Sequence, residues 1–152
     1  MPVEKRVLAA EAFWRDGSST EVDVQHLEAV AALAKRLNFR ARSIQALPIE
    51  RRARHLAQWA DPGDTIASRA LIAYHFSHQR PLMSAFLDAI GVAHDNGLIS
   101  EEEMRPPDRE RLASAVAAIK SSFDPADIDL YLRTLAALDG DTWAGIDAVV
   151  KS

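Results

Sequence analysis

His75 and His78 stand three residues apart, about 60° around a helix in projection at 100° per residue. Tyr74 lies one turn before His78, and Arg80 follows two residues after it. Two imidazoles at this spacing can share a metal ion, and a third ligand from a neighbouring helix completes an open catalytic site. As an enzyme of small molecules, the chain has His78 as general base and Arg80 as anion anchor. The competing reading is structural, because histidines near helix ends commonly cap carbonyls or sit in water. The chain turns at Pro81 into a helix expected to run antiparallel. At 1.5 Å per residue that sets His94 on the order of 15–20 Å from His75 and His78, beyond coordination reach. No catalytic residue, metal site or cofactor is therefore assigned.

Two other stretches carry chemistry in their spacing. Val92 to Glu103, VAHDNGLISEEE, resembles part of a calcium-binding loop, with Gly97 sixth, Ser100 ninth and Glu103 twelfth. Its first and third positions are Val92 and His94, where calcium needs oxygen donors, so an Asn-Gly helix stop explains the same letters. Between Lys35 and Arg54 lie seven basic residues (Lys35, Arg36, Arg40, Arg42, Arg51, Arg52, Arg54) against one acid, Glu50. Without that segment the chain has 11 basic and 21 acidic residues, a net charge of −10. Arg40, Arg42, Arg51, Arg52 and Arg54 form a candidate basic patch for phosphates or an acidic protein partner. A solvated face balancing the acidic remainder is the preferred reading of it, because charge runs are commonly just surface, and the net charge of −4 argues against wholesale nucleic-acid binding. No Gly-x-Ser-x-Gly elbow, phosphate-binding glycine loop or paired carboxylate is present.

The elements that must position these residues are helices. Asp61-Pro62-Gly63-Asp64 reads as an N-cap with proline at the first helical position. The helix that follows is apolar on most sides from Ile66 to Phe76, which predicts burial. Proline at 81 ends it near Gln79 and starts a second, apolar from Leu82 to Ala93 and stopped by Asp95-Asn96-Gly97. This pair, 61–79 and 81–94, is the expected core. Before it come helices over about 3–15, 20–38 and 49–60, with a further short one over 39–47. In the second of these, Val24, Leu27, Val30, Ala31, Ala34 and Leu37 are the expected inner stripe. After the pair come a short capped start at Ser100, then helices from 108 to 121, from Asp124 to Leu138, and from Thr142 to Lys151. No alternating β-branched run predicts a sheet.

At 152 residues the chain reads as one domain, 1–152, an all-α orthogonal bundle of seven to nine short helices. With no cysteine, no apparent signal peptide and no membrane-length apolar run, a cytoplasmic protein is expected. The leading functional reading is a non-catalytic helical module that self-associates or binds a protein partner, because its apolar content of 48% exceeds what short helices bury. The alternatives are an enzyme at Tyr74, His75, His78 and Arg80, and nucleic-acid binding through 35–54.

Overall fold

The computed structural model describes residues 1–59 and 62–150. Among these the protein is all-α, with nine helices and one antiparallel ribbon of two-residue strands. No helix among the described residues is long and apolar enough to cross a membrane. The chain divides into two compact units, Met1–Ser77 and His78–Ser152.

The first unit contains α1 (Val3–Arg15), α2 (Thr20–Leu37), α3 (Ala41–Ala46), α4 (Ile49–Gln58) and nearly all of α5 (Asp64–His78). The Ser19 hydroxyl accepts the Val22 N–H at 3.3 Å and starts α2, satisfying one orphan donor; left-handed Asn38 ends it. Pro48 leads into α4, its carbonyl accepting from the Arg51 and Arg52 amides. The start of α5 departs from expectation. Gly63 has φ +94°, so the helix begins at Asp64 and Pro62 is not its first residue. The expected Asp61 cap lies outside the described residues. Asp124-Pro125-Ala126 folds as the sequence predicts, Oδ1 of Asp124 accepting the Ala126 N–H at 2.7 Å. The two motifs diverge at their third letter, where glycine takes a positive φ that alanine resists.

Packing of α1 on α4 dominates this unit, around Phe13, Trp14, Leu33, Ile44 and Leu56. The stripe expected on α2 is rotated. Val22, Gln25, Ala29, Val30, Leu33 and Ala34 are buried, whereas Ala31 is exposed and Val24 and Leu27 are 49% and 59% exposed. Gln25 hid the true phase. Its Oε1 accepts from Arg69 Nε at 3.0 Å, which lets an amide occupy a core-facing position.

The second unit contains α6 (Arg80–Ile90), β1 (His94–Asp95), β2 (Leu98–Ile99), α7 (Arg109–Ile119), α8 (Pro125–Leu138) and α9 (Ile146–Val150). Helix α6 stops earlier than expected, at left-handed Gly91, and the Val92 amide reaches back to the Leu87 carbonyl at 3.0 Å. Its face of Leu82, Phe86, Leu87 and Ile90 is fully buried, and α7 is its main neighbour in this unit. Phe86 meets Tyr131 edge-on at 5.7 Å and Trp143 at 6.0 Å. Burial pushes the Tyr131 phenol well above its ordinary range. The helix expected at Ser100 does not form. Pro106-Pro107 leaves too few residues to repay nucleation, and the chain stays irregular until Asp108 caps α7.

The expected central pair is thus shorter, 64–78 and 80–90, and each helix belongs to its own unit. Burial in α6 follows one face, with Pro81, Asp88 and Ala89 exposed. In α5 it gathers at Ile66 and at Ala73, Tyr74 and His75, while residues 67–72 keep partial exposure.

Candidate functional site

Tyr74 and His75 are each only 2% exposed, their rings edge to face at 5.5 Å, at the buried end of α5. His78 is exposed. One imidazole is enclosed and the other faces water. Among the described residues no group of three or more His, Asp or Glu side chains gathers where a metal ion could be held. Arg80 is engaged within the second unit, where Nη1 donates to the Asn96 carbonyl at 2.8 Å. Its guanidinium braces a turn.

That turn is the segment that resembles a calcium loop. Asn96 and Gly97 have φ 47° and 92°, the backbone of a two-residue type I′ turn, and they join β1 to β2. His94 locks the turn from both ring nitrogens. Nδ1 accepts the Gly97 N–H at 3.1 Å, and Nε2–H donates to Asp88 Oδ1 at 2.7 Å. A Cβ on Gly97 would lie 2.9 Å from Met83 Cβ, so the turn must also be small there. Val92 is buried and offers no oxygen side chain at the first position. The Asn-Gly pair closes a hairpin, and the sequence missed it because each strand is only two residues long.

The basic segment is spread over the end of α2, the loop into α3, and α4. Two of its guanidinium groups are structural lids. Arg52 lies over the Trp14 ring at 5.0 Å and Arg36 over Trp59 at 5.1 Å, a favourable placement of cation on aromatic face. The segment's one acid, Glu50, is bound to Arg15 at 3.1 Å. Lys35, Arg40, Arg42, Arg51 and Arg54 are exposed and form no ion pair among the described residues.

The outward face of α2 differs from all of these. Val24, Leu27 and Ala31 recur at i, i+3 and i+7, one stripe along the helix, and all three are exposed. The first turn of the helix carries Glu21 and Asp23, and the last carries Lys35 and Arg36. The spacing that predicts these apolar residues on the inner face fits the outer face equally. No protein-family model matches the chain, and neither the curated proteins nor the solved structures give a match.

Proposed function

We propose that the chain is a helical interaction module that associates with a second copy of itself through α2. The observation that carries this reading is the exposed Val24, Leu27 and Ala31 stripe on a helix whose opposite face is already packed in a core. Branched aliphatic side chains left half open to water favour burial at roughly 25 cal/mol per Å². Charge selects the partner. In an antiparallel pair of α2 helices, the acidic first turn of one copy lies beside the basic last turn of the other, and the helix dipoles oppose. A parallel pair sets like charges together. The 18 residues of α2 span about 27 Å, so the contact falls at the small end of protein interfaces and its affinity on the order of micromolar.

Size-exclusion chromatography with light scattering over a micromolar concentration series tests this. The mass rises toward twice the chain mass in the wild type and stays at one in Leu27→Glu. Leu27 is 59% exposed, so the substitution leaves the core intact, and circular dichroism checks that. A wild-type monomer at high micromolar concentration overturns the reading, as does a Leu27→Glu variant that dimerises equally well.

A further inference from the structure

An apolar cleft of about 170 Å³ opens within the first unit between α1, the end of α4 and the first turns of α5. Its walls are Ala10, Leu56, Trp59, Ile66 and Leu71, and small residues at Ala57, Ala67 and Ala70 make the room. Arg6 is the only charged side chain among its described lining residues. Its guanidinium forms no ion pair or hydrogen bond among the described residues, and its Nε is shut off from water without an acceptor. A donor of this kind left unmatched carries a desolvation cost, which an acceptor removes. A second cavity of about 170 Å³ lies in the other unit, but Lys120, the one cation among its described lining residues, has the Asp129 carboxylate in the same wall. The first cleft holds no such counter-charge among its described residues.

We infer that this cleft binds a small apolar carboxylate, with the acid on the Arg6 guanidinium and the hydrocarbon against Leu56, Ile66 and Leu71. The guanidinium fork matches a carboxylate with two parallel N–H···O bonds, a geometry that a hydroxyl or an ammonium cannot reproduce. Size limits the hydrocarbon. A protein cavity of about 150 Å³ holds one benzene ring, so the ligand carries a single ring or a short branched chain. The site shares no residue with the exposed α2 stripe, so the two readings stand or fall separately.

Three molecules of one shape separate the charge from the hydrocarbon: phenylacetate, 2-phenylethanol and 2-phenylethylammonium. Titrations of the full chain, followed by amide and methyl NMR shifts, are expected to show saturable phenylacetate binding centred on Ala10, Ala57, Ala67 and Ala70. The affinity expected for about ten heavy atoms is on the order of 1 mM or tighter. The alcohol binds at least tenfold more weakly and the ammonium not at all. Arg6→Gln abolishes the preference for acid over alcohol, and Arg6→Lys restores part of it. Thermal unfolding of both variants confirms that they fold. Equal binding of acid and alcohol by the wild type overturns the inference. So does a preference that survives Arg6→Gln, absence of saturation, or shifts confined to residues outside the cleft.

Discussion

Two side chains show how single residues hold this protein in shape. His26 on α2 donates from Nε2 to the Phe13 carbonyl at the end of α1, which also accepts the Asp16 amide at 3.3 Å. Its ring also stands 4.8 Å from the Phe13 ring and 5.5 Å from Trp14. His26→Ala removes the donor and both ring contacts, and is expected to cost about 1–3 kcal/mol in urea unfolding. A loss under about 0.5 kcal/mol would show that water replaces the cap. Asp139 acts through charge. The Thr142 hydroxyl and then the Thr142 amide, which reaches Oδ1 at 3.1 Å, hold its carboxyl below the ordinary range. With the folded value depressed, the contribution to stability is complete above the usual carboxylate pKa and vanishes as pH falls through the folded one. Asp139→Asn is therefore expected to be less stable than wild type at neutral pH, with the gap closing as pH falls below the usual carboxylate range. A gap of constant size across acid unfolding curves counts against this. Neither role is legible in the sequence. His26 acts on a carbonyl 13 positions away. The Asp139 cap serves a turn that precedes α9, where the pattern places a helix from Thr142 onward.

At the scale of elements, legibility follows the range of the interactions that decide each one. Helix starts at Ser19, Asp108 and Asp124 depend on a side chain and an amide two or three residues on, and the sequence places them within a residue. The face of α2 depends on tertiary packing. Residues 22, 25, 29 and 33 and residues 24, 27, 31 and 34 are both helical stripes, and the polar letter at Gln25 favours the wrong one. Arg69, 44 positions along, is what makes Gln25 acceptable inside. The Arg6 cleft is less legible still, because three helices contribute to it and its only local trace is small residues where larger ones would fill it. The hairpin permits a sharp test. Gly97→Ala meets both a positive φ and a Cβ contact at 2.9 Å with the stem of Met83, which cannot swing away. It is expected to cost more than about 1 kcal/mol, while Asn96→Gly, also at positive φ, changes little. Thermal unfolding of the two variants measures the difference, and equal midpoints would remove the argument for a tight turn.

For the molecule as a whole, charge is divided as the units are. Met1–Ser77 carries 11 basic and 9 acidic residues, a net +2, and His78–Ser152 carries 7 and 13, a net −6. The imbalance is visible in the sequence as a basic segment on an acidic chain, although the division at Ser77 is not, since no linker composition marks it. The proposed self-association through α2 would bring together the two nearly neutral units, where electrostatic repulsion between copies is least. Within that contact the flanking charges set the direction of pairing. Lys35→Glu places an acid beside the acidic first turn of the other copy and is expected to weaken the dimer several-fold. Glu21→Lys does the same from the other end. It also removes the 3.7 Å pair between the exposed Glu21 and the partly buried Arg69, a contact of about 1 kcal/mol whose loss circular dichroism checks against the fold. Combining Glu21→Lys with Lys35→Glu restores opposite charges across an antiparallel pair, so sedimentation equilibrium should return most of the lost association. Raising the salt concentration should shrink all three differences, because exposed charges are screened while the Leu27 contact is not. Additive losses in the double variant would instead mean that the two ends of α2 never meet, and antiparallel pairing would then be excluded even if the protein dimerises.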